Sequence, residues 1–310
     1  MRTSCSVPTR RHLRRSSASE LIVRNGGPGL SRIPGLNVRT TYPARCTVLE
    51  QPAAMTVDTL LNLINARGAE PHTVLGAADG WHSDEQDSAL ASRAHTELAW
   101  LGLSGPNGVD PDLLTVVETL TRPYVEYYAW IAGFHDDTSV NYSVLAGAGM
   151  RDAAVLVRNI DNDTVVLHSV PRERLLDEFI DQLPALAPGD GQAVTASHGD
   201  VFGRGIPPGE DEAFTVMRGP RESQSALAAS EVKRILKLQR LGGGQLYTAS
   251  RNRAGMRRRV ERPLVYIDTP EGRWLTEETA GAGEPDIVCT PATPQLLAQR
   301  LHTNHSALRD

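Results

Sequence analysis

Between residues 55 and 123 the apolar positions recur at helical spacing. "MTVDTLLNLINARGAE" places Leu60, Leu61 and Ile64 on one side and stops at Gly68. "GWHSDEQDSALASRAHTELAWLGL" opens with Ser83 and Gln86 at capping-box spacing. Leu90, Ala94, Leu98 and Leu101 line one face of that helix, and Gly102 closes it. "GVDPDLLTVVETLTRP" starts with Asp110 as N-cap and Pro111 at the first helical position. Its apolar face is Leu113, Val116, Val117 and Leu120, and Pro123 ends it.

The period then changes. "YVEYYAWI", "VNYSVLAG", "DAAVLVRNI" and "TVVLHSV" are short β-branched and aromatic runs separated by turn formers, which predicts four strands. "PRERLLDEFIDQLP" follows as a helix with Leu175, Leu176, Phe179, Ile180 and Leu183 inward. Residues 188–222 are rich in Gly and Pro and predict a junction with little regular structure. A helix is expected over 223–241, with Leu227, Ile235, Leu238 and Leu241 near one face and the run Gly242 to Gly244 as its stop. Strands return as "QLYTAS", "PLVYID", "GRWLT" and "PDIVCT". A last helix opens with Thr293 as N-cap and Pro294 inside it.

Both halves therefore read as four strands and then a proline-opened helix. The clearest echo sets "TVVLHSVPRERLL" against "PDIVCTPATPQLL". The expected fold class is α+β, a duplicated quasi-two-fold architecture built on antiparallel hairpins. One domain spans 55–310, with halves at about 55–187 and 188–310.

Composition narrows the function classes. Forty per cent hydrophobic and 22 per cent charged residues suit a globular chain, with no stretch near the ~20 apolar residues of a membrane span. Three scattered cysteines (Cys5, Cys46 and Cys289) give neither a disulfide framework nor a zinc knuckle and fit a cytoplasmic setting. Residues 1–54 hold nine Arg and two acids, +7 in all, so the rest carries −12 of the net −5. That start is read as an Arg-rich disordered tail or upstream sequence from an early start codon, with an organellar transit peptide the competing reading. A chain beginning at Met55 is expected to melt like the whole.

Motifs for catalysis are missing. There is no G-K-[ST] phosphate loop and no G-x-S-x-G elbow. His302-x-x-His305 and His198-Gly-Asp200 lack further ligands at metal spacing. Asp84-Glu85 falls in an opening helical turn and Asp136-Asp137 in a strand turn, where acids are expected without function. No cofactor is expected. One cluster remains, "RNRAGMRRR", with Arg251, Arg253, Arg257, Arg258 and Arg259. It is open to three readings: a solvated hairpin tip that discourages edge pairing, a surface for an acidic protein partner, or a nucleic-acid loop using 251–259. The acidic surroundings favour the first two. Charge reversal at Arg257 to Arg259 is expected to leave folding intact.

"GGGQLYTASRNRAGMRRRVERPLVYIDTPEGRWLT" followed by "VCTPATPQLLAQRL" resembles the C-terminal half of the EspG family. "PHTVLGAADGWHSDEQDSALASRAHTELAWLGL", "RPYVEYYAWI" and "GMRDAAVLVRNIDNDTVVLHSVPRERLLDEFIDQLP" are similar to its first half, in the same order, so the likeness runs from about Met55 to Leu301. Gln86 and Asp87 stand where that family often has an arginine, and the first 54 residues have no counterpart in it. The resemblance implies a central antiparallel sheet flanked by helical bundles. It also implies a cytosolic, non-enzymatic chaperone of ESX (type VII) secretion that binds PE–PPE heterodimers, or a related WXG100-like pair, and keeps them soluble until export. The sheet and the C-terminal helical bundle would supply the surface. Candidate contacts are Leu227, Glu231, Arg234, Ile235 and Leu238 on the long helix and the hairpin from Tyr247 through the five arginines.

Overall fold

The computed structural model describes residues 49, 51–76, 83–135, 138–203, 220–281 and 283–308. Strand β1 (Ala53–Thr56) runs straight into helix α1 (Val57–Ala66). Thr56 is the last extended residue and the N-cap, its hydroxyl accepting from the Thr59 N–H. Helix α2 (Asp84–Trp100) begins at the expected Ser83–Gln86 capping box, and Ala94 and Leu98 are its buried face. The carboxylate of Glu97 clamps α2 to the start of α1 by accepting from the Thr56 N–H at 2.9 Å and from the Thr56 and Thr59 hydroxyls. Beside this clamp lies a groove of about 560 Å³ that Trp100 also lines. A small hairpin of β2 (Ser104–Gly105) and β3 (Gly108–Val109) leads to α3 (Pro111–Thr121), capped by Asp110. All four of its expected core residues are buried.

Strands β4 (Val125–His135), β5 (Thr138–Ala148), β6 (Ala153–Asn159) and β7 (Thr164–Val170) follow as an antiparallel meander, then α4 (Leu175–Asp181). The second half contains β8 (Val194–Ser197), α5 (His198–Phe202), α6 (Pro220–Lys237), β9 (Gly242–Arg251), β10 (Arg257–Arg259), β11 (Leu264–Thr269), β12 (Gly272–Thr279), β13 (Asp286–Pro291) and α7 (Pro294–Ala307). All strands but β2 and β3 join one sheet in the order β1-β7-β6-β5-β4-β9-β11-β12-β13-β8, with β10 beside β9. The order reads alike in both directions from the β4–β9 ladder. Each side is a hairpin-linked run that ends in the strand opening its own half. Thr56 and Ser197 cap the helices leaving those outer strands.

Several expectations need correction. β1 and β8 are additional strands, so the fold includes part of the segment read as tail and part of the segment read as a plain junction. His198 and Asp200 lie on α5 rather than in a loop. Helix α6 ends at Lys237, leaving Leu238 outside it. Its inward face is Ala229, Val232 and Ile235, while Leu227 points to solvent. Gly242 to Gly244 are not a helix stop but the first residues of β9. A Cβ on Gly243 would sit 2.7 Å from the Tyr266 carbonyl oxygen, and one on Gly244 2.6 Å from the Tyr266 ring. The strand carries glycine because its neighbour packs too close for a side chain. The Asp136-Asp137 pair lies outside the described residues.

Three apolar clusters hold the layers. On one face of the sheet, α1 and α3 pack over β5, β6 and β7 through Leu60, Leu113, Val116, Leu145 and Leu156. On that same face, α5 and α6 pack over β11 to β13 through Val201, Val232, Ile235, Ile267 and Trp274. The opposite face is covered by α4 and α7, whose Phe179, Leu297 and Leu301 meet Tyr127, Ile131 and Tyr266. The link between halves is sewn to β12. Arg273 makes a buried two-point ion pair with Asp268 at 2.6 and 2.9 Å, and its Nη2 also donates to the Pro184 carbonyl.

Two expected outcomes follow from this packing. The Leu49 N–H donates to Ser169 Oγ at 2.9 Å, and Ala53 and Ala54 pair with Leu167 and Val166. A chain beginning at Met55 loses these bonds, so it should melt roughly 3–6 °C below one beginning at Leu49, by calorimetry. His168 is buried with neither ring nitrogen hydrogen-bonded among the described residues, and burial pulls its pKa down to about 4. The unfolded chain binds this proton below its ordinary value of about 6.5, whereas the fold resists binding until about 4. Stability should therefore fall by roughly 3 kcal/mol as pH drops through that window. His168→Leu should flatten this part of the profile in urea titrations at pH 7 and pH 4.5.

Candidate docking surface

On the face shared by α1, α3, α5 and α6, the described helices cover the two ends of the sheet and leave β4 and β9 between them partly open. Alternation along β4 sends Glu126, Tyr128, Trp130, Ala132 and Phe134 to this face. Register brings Tyr247 opposite Tyr128, and Gln245 opposite Trp130. Tyr247 stacks on Tyr128 at 4.9 Å between ring centroids, and Trp130 meets each ring edge-on at 5.5 Å. Tyr128 is buried under this cluster, Trp130 and Tyr247 are half-buried, and Phe134 is 65% exposed at the far end of β4. The result is an aromatic strip flanked by helices. On α5 and α6, Phe202 and Leu227 are exposed as well.

The arginine segment closes the other end of the strip. β9 and β10 form a hairpin in which Arg257 pairs with Arg251, Arg258 with Ser250 and Arg259 with Ala249. The turn is held by the Asn252 side-chain oxygen, which accepts from the Met256 N–H at 2.9 Å, and by Gly255 at φ +83°. Arg251, Arg257 and Arg259 thus share the face of Tyr247, whereas Arg258 points to the opposite one. The Arg259 guanidinium lies 5.4 Å over the Tyr247 ring. Arg251 donates to the Gly255 carbonyl at 2.9 Å.

Arg257 is not a free tip residue. Its Nε donates to Glu126 Oε1 at 2.7 Å, its Nη2 contacts the same oxygen, and its guanidinium lies 5.7 Å over the Tyr128 ring. Glu126 is buried, and His72 Nε2 stands 3.5 Å from it. His72 Nδ1 accepts from the Val74 N–H at 3.2 Å, so the ring proton sits on Nε2, facing the carboxylate. Burial works to raise the Glu126 pKa, but the hydrogen bonds of His72 and Arg257, with the Arg257 charge, outweigh it and hold the carboxyl below its ordinary value. The expectation that reversing Arg257 leaves folding intact is therefore overturned. The reversal would face a buried carboxylate with another.

The remaining sequence candidates separate cleanly. Ile235 is fully buried against the sheet and offers no surface, which corrects its place among the contacts. Glu231 and Arg234 lie outside on α6. Arg234 bonds Glu231 at 2.9 Å and both oxygens of Glu271 at 2.7 Å. Leu238 is half-buried just past the helix. Arg253 is exposed in the hairpin turn. Sequence reasoning missed Trp130, Phe134 and Phe202. "EYYAWIAGF" is apolar on both faces, which reads as a buried strand, and nothing local tells which face the helices leave open. Among the described residues no group of three or more His, Cys, Asp or Glu is placed to hold a metal, and no helix is long and apolar enough to cross a membrane.

Removing Arg257 strands a buried carboxylate that retains only His72. Arg257→Ala should cost about 2–3 kcal/mol in urea unfolding, below the 3–5 of a fully buried pair because the guanidinium is part-exposed. Arg253→Ala and Arg258→Ala should stay within about 0.5 kcal/mol of the parent.

The sequence model of the EspG family matches residues 56–303. No curated protein sequence matches the chain. Among solved structures, the fold is similar to the Mycobacterium tuberculosis type VII secretion system chaperone EspG5, determined in complex with a PE25–PPE41 dimer. The TM-score is 0.54 at 14% identity, covering 82% of this chain and 95% of the other.

Proposed function

This chain belongs to the EspG family, and on that premise we propose that it is a cytoplasmic, non-enzymatic chaperone of type VII secretion. It binds a helical PE–PPE-type substrate pair and keeps it soluble for export. The observation that carries this reading is the aromatic strip between two helical flanks. Trp130, Tyr247 and Phe134 leave apolar surface in water on an otherwise acidic domain, and contiguous apolar patches of this kind mark protein contacts. EspG5, which has the same fold, was solved with a PE25–PPE41 dimer bound. The palindromic strand order also supports descent of the two halves from a duplicated unit.

The mechanism is stoichiometric burial. A substrate tip laid along β4 and β9 covers its own apolar surface and the strip together, each buried Å² contributing about 25 cal/mol before the costs of association. Leu227, Glu231, Arg234 and Leu238 on or next to α6 form one side of the contact and the arginine hairpin the end. The network of Arg234 with Glu231 and Glu271 sets the α6 side chains in place before binding. Nothing in this scheme requires a cofactor. The nucleic-acid reading has less support, because Arg257 is consumed internally and Tyr247 offers its ring to Arg259.

Co-expression with PE–PPE-type pairs encoded in the same secretion locus tests the reading. A pair should co-purify at one-to-one stoichiometry, and failure of every such pair to co-purify or gain solubility would reject it. Within a complex that forms, Trp130→Ala with Phe134→Ser should weaken binding at least tenfold in calorimetric titration, with the chaperone's melting temperature changed by no more than a few degrees.

A further inference from the structure

The strip has chemically different ends, and this polarity identifies the partner more closely. At the Phe134 end of β4 the exposed surface is apolar. At the other end, Arg251 and Arg259 stand on the same face as Tyr247. Many arginines of the domain are matched with acids, among them Arg158 with Asp163, Arg234 with Glu231 and Glu271, Arg262 with Glu278 and Arg273 with Asp268, whereas Arg253 and Arg258 of the same hairpin are not but lie in its turn and on its opposite face. Arg257, between the two, has Glu126. Among the described residues Arg251 and Arg259 have no carboxylate within ion-pairing distance. The Arg251 guanidinium makes only the bond to the Gly255 carbonyl, and its Nε is buried without a hydrogen-bond partner. Arg259 rests on an aromatic ring. In a domain whose residues beyond 54 sum to −12, two guanidiniums left without acids on one face are a local reversal of sign.

We propose that Arg251 and Arg259 form an acceptor site for carboxylates of the protein partner. The partner segment on the strip then carries acidic side chains at one end and apolar ones at the other, and it lies in a single direction, acids over the hairpin and apolar residues towards Phe134. Guanidinium forks suit this task because they take carboxylates with two parallel hydrogen bonds. The site is pre-set rather than assembled on binding. The Glu126–Arg257 pair fixes β10, and the stack of Arg259 on Tyr247 aims its guanidinium along the strip. Such a site contributes chiefly to partner choice, since a wrong partner would bring apolar or basic groups to desolvated arginines.

This inference rests on the chaperone reading, and the two fail separately. The experiment compares two double variants of the full chain with equal charge change. One is Arg251→Glu with Arg259→Glu, on the strip face. The other is Arg253→Glu with Arg258→Glu, in the turn and on the opposite face. Each is titrated with the locus-encoded PE–PPE-type pair that binds the parent best, at 50 and 300 mM salt, and with a 20-nucleotide single strand. Expected is at least a tenfold loss for the strip-face variant, little change for the other, and tenfold-loss rescue by Lys substitution of acids at the partner's tip. Equal binding by both variants and the parent overturns the acceptor site and leaves the chaperone reading standing. Equal losses in both variants overturn it too, because they reveal only long-range steering. If the parent binds the oligonucleotide and no pair, the arginines serve nucleic acid and both proposals fall.

Discussion

The ladder between β4 and β9 is the constraint on which the rest depends. It runs unbroken from Val125 opposite Ser250 to Gly133 opposite Gly242, and it joins the strands of the two halves into one sheet. At its end the backbones come so close that a Cβ on Gly133 would lie 2.5 Å from the Gly242 Cα. The floor of the strip is made of residues from both sides of this seam. Tyr128 and Trp130 come from one half and Tyr247 from the other. A slip of one residue in the register would turn Tyr247 to the opposite face and break the stack.

Charge and packing divide their tasks at this seam. The aromatic surface runs the length of the strip, whereas the arginines stand at only one of its ends. The electrostatics are arranged in depth. The innermost guanidinium, Arg257, neutralises a carboxylate that burial would otherwise oppose, and so anchors the hairpin. The outer ones are then held in place without being used up. One sequence run thus contains residues of opposite function. Arg257 is tied to Glu126, Arg251 and Arg259 stand on the strip face without a carboxylate partner among the described residues, and Arg258 faces away.

How much of this was legible in the sequence depended on whether the cause was local. Helix α3 was readable because Asp110, Pro111 and the 113–120 period are signals within one segment. The four-strand runs of each half were readable for the same reason. β1 and β8 were not, since four residues contain too little alternation to outweigh a neighbouring helical pattern. Gly242 to Gly244 carried the signature of a helix stop, but their cause is Tyr266 on the adjacent strand. Arg257 looked like its neighbours because its partner lies 131 residues away in the chain. The family resemblance survived these errors because it rested on the order of segments rather than on any single residue.

The central claim is that the open strip between β4 and β9 is where the substrate sits. Hydroxyl-radical footprinting of the full chain, free and in complex with a PE–PPE-type pair, tests it most directly, with the exposed aromatic and sulfur-containing side chains reporting at once. Oxidation of Trp130, Phe134 and Tyr247 should drop in the complex, while Trp100 on α2 and Met150 in the β5–β6 turn, both exposed and outside β4 and β9, should react as before. Unchanged oxidation of Trp130, Phe134 and Tyr247 alongside protection of Trp100 or Met150 would contradict the account.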